Sequence, residues 1–189
     1  MNELSINGEK IEELQSLASQ NLFMHAQQIN DWAGDLRIFV KGEGVWVTDI
    51  NDNKYLDSTG GLWFKGAGYG RAEIGQAMYE QICEIETPPA MAACIPQIEL
   101  AAKIAEIYPD KYARSFFTSG GSESVETAVK MAKKYQMNTG KSGAYKIISR
   151  RYSYHGATAM AVSLGKPSTS DTMGPEMPGA IHVQNWDSY

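Results

Sequence analysis

Strands alternating with helices, a glycine turn set between one strand and the helix after it, and helical apolar spacing between proline breaks predict an α/β fold with a largely parallel sheet. The chain has 189 residues, 43% of them apolar, enough to bury a core of ordinary size.

From Glu9 to about Gln28, Ile11, Leu14, Leu17 and Ala18 recur at helical spacing and predict an amphipathic N-terminal helix. The stretch GVWVTDINDNKYLDS alternates Val45, Val47 and Asp49 against Trp46, Thr48 and Ile50, and Asn51-Asp52-Asn53 supplies turn residues, so it reads as a β-hairpin. Between Gly60 and Gly70, five glycines are interspersed with Trp63, Phe64 and Tyr69. That composition suits an irregular loop with unusual dihedrals beside a ligand or partner, a plain surface loop being the blander alternative. Ala72 to Ile85 and Gln97 to Ile107 carry helical periodicity. Pro88, Pro89 and Pro96 break the chain between them, and Pro109 stops the second. Ser115 to Thr118 reads as a short strand and TSGGSE as a turn. The helix that follows has Val125, Ala128, Val129 and Ala132 on its apolar face and Glu126 spaced to pair with Lys130. Lys146 to Ser149 and Ile181 to Val183 read as further strands, and the Gly/Pro/Ser/Thr-rich piece from Gly165 to Gly179 as a long loop.

Charge excludes some functions. Lys and Arg total 17 against 22 Asp and Glu, a net charge of −5, and the cations form no stripe, so neither nucleic acid nor a membrane surface is an expected partner. No apolar run approaches the roughly 20 residues that span a bilayer. The polar, acidic start MNELSINGEKIEEL is unlike a signal peptide, making a cytoplasmic location the default expectation. Cys83 and Cys94 form no CxxC pair, and His25, His155 and His182 lie far apart in sequence, so no metal site is expected.

At Ser119-Gly120-Gly121-Ser122 the glycines let backbone N–H groups approach an anion, the serines can add hydroxyl donors, and the new helix offers its positive end. This is chemistry for one phosphate. The spacing is neither that of the P-loop nor that of the dinucleotide fingerprint. A tight strand-to-helix connection would use the same residue types, so the turn taken alone is as well explained by structure as by binding. Glu123 would bring negative charge to the anion site and is expected to point away or pair with a donor. Tyr154-His155-Gly156 follows a predicted strand, where α/β sheets present ligand-contacting side chains, and an aromatic ring there could stack on a flat cofactor. Core packing is the competing role for that pair.

Taken in order, YLDSTGGLW, GYGRAEIGQAM, FFTSGGSESVETAVKMAKKY and KIISRRYSYHGATAMAVSL resemble the N-terminal part of class III (omega) aminotransferases, enzymes of fold type I that depend on pyridoxal 5′-phosphate (PLP). The likeness covers nearly the whole chain. It implies an incomplete, mainly parallel sheet with helices on both faces. Residues 1–58 would be an N-terminal helix and β-hairpin segment of the small domain, and 59–189 the first part of the PLP-binding large domain. By position it assigns Ser119, Gly120, Gly121 and Ser122 to the phosphate, Tyr154 to one face of the pyridine ring with His155 beside it, and Trp63 to the substrate entrance. It further implies an amine or ω-amino acid donor, a keto acid acceptor such as pyruvate, and a homodimer to which loops Gly60 to Gly70 and Thr87 to Ile95 would contribute.

In that family the Schiff-base lysine and the Asp that holds the pyridinium nitrogen lie further along than Tyr189. None of Lys130, Lys133, Lys134 or Lys146 stands in a context resembling that lysine, so this chain is expected to be inactive alone and to expose apolar edges. A decarboxylase, mutase or racemase on the same fold, a non-catalytic phosphate-ligand or partner-binding protein, and a nucleotide-binding domain are the alternatives, the last disfavoured by the turn spacing.

Overall fold

The computed structural model describes residues 8–25, 27–110, 113–165 and 174–186. The chain divides into two compact units, Met1–Cys94 and Ile95–Tyr189.

In the first unit, helix α1 (Gly8–Asn21) ends sooner than the expected Gln28. Its last turn closes when the Asn21 side chain donates back to the Leu17 carbonyl at 2.9 Å. The Gln15 amide then holds the returning chain, donating to the Leu36 carbonyl at 2.7 Å and accepting the Leu36 N–H at 2.9 Å. The short helix α2 (Ile29–Trp32) lies in that return, with Trp32 buried.

The expected hairpin is the second half of a three-stranded antiparallel meander, β1 (Phe39–Glu43), β2 (Trp46–Asp49) and β3 (Lys54–Leu56). Strand β1 escaped the sequence reading because Lys41, Gly42 and Glu43 interrupt its apolar pattern. The β2–β3 turn is organised by Asp49, which is only 4% exposed. Its Oδ1 accepts the N–H groups of Asn51 and Asn53, both at 2.9 Å, and its Oδ2 accepts the Asn53 amide at 3.1 Å and the Tyr55 hydroxyl at 2.9 Å. Burial pushes the Asp49 carboxyl up, but those donors outweigh it and hold the group below its ordinary range.

After β3 the glycine-rich segment has a defined shape. Gly60, Gly61, Leu62 and Trp63 all have positive φ, 56°, 59°, 70° and 72°, and form a single left-handed helical turn, α3 (Gly60–Trp63). Left-handed backbone is free for glycine but costs about 1–2 kcal/mol at each L-residue bearing a Cβ, here Leu62 and Trp63. The turn is closed by Trp63 N–H to the Thr59 carbonyl at 2.8 Å and Phe64 N–H to the Gly60 carbonyl at 3.1 Å. Asp57 braces it from inside. Its Oδ1 accepts Thr59 N–H at 3.2 Å and the Thr59 hydroxyl at 2.9 Å, while its Oδ2 accepts Gly61 N–H at 2.6 Å and the Tyr69 hydroxyl at 2.8 Å.

Tyr69 is anchored in turn by paired backbone bonds with Gly44, at 2.7 and 3.1 Å, and its ring lies on Gly42. Helix α4 (Ala72–Glu84) follows as the periodicity predicts.

The second unit opens with α5 (Ile95–Ile107), which begins before Pro96 instead of after it. Proline is at home in a first helical turn, where its missing N–H has no partner to lose. Residues 115–118 belong to no helix or strand among the described residues. A strand is defined by its ladder, and Phe116 and Phe117 stand exposed without one. Helix α6 (Gly121–Asn138) is followed by β4 (Ile147–Arg150), α7 (Ala159–Gly165) and β5 (Ala180–Val183). Strands β4 and β5 pair in parallel, Ile147 opposite Ala180 through Arg150 opposite Val183, as a strand–helix–strand connection requires. The small-residue stretch after Gly156, unassigned from sequence, is α7; Met160, Ala161, Ser163 and Leu164 are buried there. Residues 166–173 of the expected long loop, and Ala26 in the expected long first helix, lie outside the described residues.

On α4, Ile74, Met78 and Ile82 form an exposed apolar stripe at four-residue spacing.

Two outcomes follow from the Asp57–Tyr69 pair. Hydrogen bonds from Tyr69 and Thr59 hold the Asp57 carboxyl below its ordinary 3.8, and the bond to Asp57 raises the Tyr69 phenol above 10.0. A depressed carboxyl stabilises the fold above its unfolded value and loses that contribution as pH falls through its folded value. A raised phenol does the reverse at the alkaline end. The brace is therefore intact from the carboxylate range up to the phenol range, and tyrosine absorbance together with amide exchange at Gly61 should report its loss at both extremes. Replacing Gly42 with alanine would set a methyl 2.7 Å from the Tyr69 ring. Overpacking of that kind costs about 1–3 kcal/mol. We expect G42A to lower Tm in a circular-dichroism melt by about 4–8 °C per kcal/mol.

Candidate functional site

The site is built on the N-terminus of α6. Gly120 is its N-cap, in extended backbone at φ −170°, and its carbonyl accepts the Ser124 N–H at 3.1 Å; the Thr118 and Ser124 hydroxyls lie 3.0 and 3.1 Å from that carbonyl and 2.6 Å from each other, so one donates to the carbonyl and the other to its neighbouring hydroxyl. These bonds fix the turn from behind, and the first-turn N–H groups of Gly121 and Ser122 face out along the axis, as every α-helix N-terminus leaves them. A Cβ placed on Gly121 would meet no atom within 4 Å. Neither packing nor dihedral angle asks for glycine at that position, whereas a ligand approaching the backbone closely would.

Ser122 connects the turn to the aromatic element. Its Oγ accepts the Ala157 N–H at 2.9 Å. The hydroxyl proton is left to donate elsewhere, and the axis of α6 is where an anion would receive it. The approach is close enough to require Gly156: its φ is +135°, and a Cβ there would lie 2.6 Å from Ser122 Oγ and 2.8 Å from Ser122 Cα.

One turn further along α6, Glu126 makes the second attachment. Its Oε1 accepts the Met160 N–H at 2.8 Å and the Ala161 N–H at 3.4 Å, capping α7 from a neighbouring helix. It is thus not the partner of Lys130 that the i,i+4 spacing suggested. Burial raises the Glu126 carboxyl, but the Thr158 hydroxyl and those two amides, with the charge of Lys133, prevail and hold it below its ordinary 4.5.

Beneath α7, the Ser149 hydroxyl on β4 donates to the Leu164 carbonyl at 2.7 Å and lies 3.3 Å from His182 Nδ1 on β5. Its only proton is already committed, so Nδ1 is the donor. His182 Nε2 lies 3.4 Å from a Glu176 carboxylate oxygen. This histidine links β5 to β4 through Ser149.

The predicted ligand residues fall as follows. Ser119, Gly120, Gly121 and Ser122 lie together on the turn, and Ser122 is bonded to the segment carrying Tyr154 and His155. The Tyr154 ring is 74% exposed and free to stack. His155 is tied by Nε2 to the Ser153 hydroxyl at 3.2 Å, and since that hydroxyl donates to the Arg150 carbonyl at 2.5 Å, Nε2 carries the proton. Trp63 stands in the first unit, 85% exposed on the left-handed turn. Glu123 neither points away nor takes an evident donor. Its Oε2 folds back to within 2.8 Å of where a Gly120 Cβ would be, so it must swing aside for an anion to bind. Sequence reading missed Gly156 and Glu126 as site-building residues. Gly156 was legible as the glycine of Tyr-His-Gly; Glu126 was not, because its partners are backbone groups more than thirty residues away.

Among the described residues, no group of three His, Cys, Asp or Glu side chains could hold a metal ion, and no helix is long and apolar enough to cross a membrane.

Gly156→Ala should break the attachment of the aromatic element to α6, at a cost of about 1–3 kcal/mol from overpacking with backbone strain added, read as a drop in Tm. The attachment through Glu126 has a defined pH dependence. Its carboxyl is depressed, so its contribution is present above the ordinary carboxylate range and disappears as pH falls through the lowered value. Amide exchange at Met160 should accelerate over that acid range in the native sequence. In Glu126→Ala it should be fast at all pH values.

The family model for class-III aminotransferases matches residues 29–189. A probable aminotransferase of Mycobacterium tuberculosis is 42% identical over 154 residues, covering 80% of this chain and 33% of its own length. The putrescine–pyruvate aminotransferase of Pseudomonas aeruginosa is 35% identical over 164 residues, covering 85% of this chain and 36% of its own. The crystal structure of an (S)-enantioselective omega-transaminase from Thermomicrobium roseum superposes with a TM-score of 0.87 at 37% identity, covering 92% of this chain and 40% of that one. The chain thus spans about a third of the length of the curated relatives it matches. Over that span, in fold and in sequence alike, it belongs to the class-III aminotransferases.

Proposed function

We propose that this chain supplies the phosphate-binding and ring-stacking part of an aminotransferase that passes an amino group from an amine or ω-amino acid to a keto acid such as pyruvate, with PLP as cofactor. The observation that carries the reading is the N-terminus of α6, where Gly121 has room on its backbone that the fold does not use, Ser122 is bonded to the segment bearing Tyr154, and binding requires only that the Glu123 side chain swing off the turn. Class-III aminotransferases are PLP-dependent. When bound, that cofactor supplies an electrophilic carbonyl to take the amino group and a heteroaromatic ring to delocalise charge.

The chain's own residues then do four things. The N–H groups of Gly121 and Ser122, with the Ser122 hydroxyl and the positive end of α6, bind the phosphate dianion; Ser119 and Gly120 complete the turn. Tyr154 covers one face of the ring, worth about 1 kcal/mol beyond its area. His155, held by Ser153, borders the same face. Trp63 forms an apolar wall for the amine. No lysine of the chain stands in a Schiff-base context, so we infer that turnover needs the remainder of the family fold and that the whole works as a homodimer. The exposed apolar stripe on α4 supports a chain completed by further protein.

The decisive test separates binding from folding. Gly121→Ala places a methyl in open space within a helix, where alanine is favoured over glycine by about 0.5–1 kcal/mol, so Tm should hold or rise. Its affinity for PLP and for inorganic phosphate, measured by calorimetry, should fall. Ser122→Ala removes a hydrogen bond to a charged group, worth about 1.5–3 kcal/mol, and should weaken PLP binding by roughly ten- to a hundredfold. A G121A chain that binds phosphate as tightly as the parent would defeat the proposal. Mixing the chain with the remainder of the family fold and PLP should produce an absorbance band that neither part shows alone.

A further inference from the structure

We infer that Asp57 and Tyr69 form a latch that holds the left-handed turn Gly60–Trp63 in place, and that they act as positioning residues for Trp63. The amine-wall part of this inference rests on the function proposed above; the latch itself does not.

Leu62 and Trp63 occupy a backbone region that side chains with a Cβ avoid, so the turn does not hold itself. What holds it is the Asp57 carboxylate, and the bonding is complete. Each oxygen accepts two donors, Thr59 N–H and hydroxyl on one, Gly61 N–H and Tyr69 hydroxyl on the other. A carboxylate so occupied has little capacity left for a ligand, which makes Asp57 a brace and not an ammonium-binding group. Tyr69 carries the restraint to the sheet through its two backbone bonds with Gly44. Gly68 and Gly70 flank it at positive φ, and a Cβ on either would come within 3.0 Å of a carbonyl oxygen of Gly44 or Gly42. Lys65 stands over the Tyr69 ring at 5.2 Å.

The products of this restraint are three exposed apolar side chains in sequence, Leu62, Trp63 and Phe64. Gly61 of the turn and the two latch residues also line an open groove of about 570 Å³, whose other walls include Arg37, Lys41, Phe39, Val47 and Leu56. Strain maintained to expose a tryptophan on a turn that borders a groove fits a preset recognition wall better than a connecting loop, which could relax.

The test uses the 189-residue chain labelled with 5-fluorotryptophan. The Trp63 resonance is identified by its loss in W63F. The native chain should give one sharp Trp63 line. D57A should split or broaden it, and Y69F should do so more weakly. Adding L62G to D57A should restore the native line, because glycine takes the left-handed conformation without a Cβ penalty; a general loss of structure would not be rescued this way. If D57A does not fold, Y69F carries the test, since it removes one hydroxyl only. An unchanged Trp63 line in the folded D57A or Y69F chain overturns the latch, as does failure of L62G to restore it. In the completed, PLP-loaded enzyme, D57A should raise KM for a bulky arylalkylamine about tenfold with kcat changed less than about twofold, and L62G should reverse this. Native KM values in a D57A enzyme whose turn is released overturn the wall assignment. A native assembly that transaminates no amine counts against the proposed function, and the fluorine spectra then decide the latch by themselves.

Discussion

The attachment of the 154–161 segment to α6 is the constraint on which the site depends. Helix α7 is too short to be stable by itself, and its N-terminus presents amides that need acceptors. Ser122 and Glu126, one turn apart on one face of α6, provide them, at Ala157 in the first case and at Met160 and Ala161 in the second. The same two contacts place the Tyr154-His155-Gly156 element beside the turn that would take a phosphate. On the proposed function, a single helix face would therefore fix both ends of a flat phosphorylated ligand. Misplacing α7 would misplace the ring surface with it.

Both units use one device for irregular backbone, a carboxylate that gathers N–H groups which no regular ladder can serve. Asp49 does so at the β2–β3 turn, Asp57 at the left-handed turn and Glu126 at the start of α7. In each case several donors to one ionised group lower its pKa despite burial, so the charged form is part of the folded state. This gives the net acidic composition a structural use alongside solubility.

Periodicity made the regular helices legible: α4 and α6 have the expected positions, and α1 and α5 differ only at an end. What escaped depended on partners remote in sequence. Strand β1 has a weak pattern and exists through its pairing with β2, and 115–118 has a strand-like pattern without a ladder among the described residues. Helix α7 is short, and its capping acceptor lies on another helix. The i,i+4 reading of Glu126 was locally reasonable, but backbone amides in a partly buried site are stronger claimants than an exposed lysine, whose pairing is worth a few tenths of a kcal/mol. The site turn could be located from sequence because its glycines and serines are contiguous. The left-handed turn was legible only as unusual composition, since Leu62 and Trp63 do not advertise positive φ.

The two glycines of the proposed site differ in the space around them. At Gly156, a side chain would collide with Ser122 and the backbone is already left-handed, so the fold alone explains the residue. At Gly121, the backbone is helical, a side chain would meet nothing, and alanine would favour the helix. Gly75 in α4 is equally open, so the open space at Gly121 acquires meaning only from the groups beside it. Next to it are N–H groups at a helix N-terminus and a serine hydroxyl whose acceptor side is already occupied, so what approaches should be an acceptor, and an anionic one. The argument for phosphate thus rests on an unfilled space together with the polarity of the groups around it.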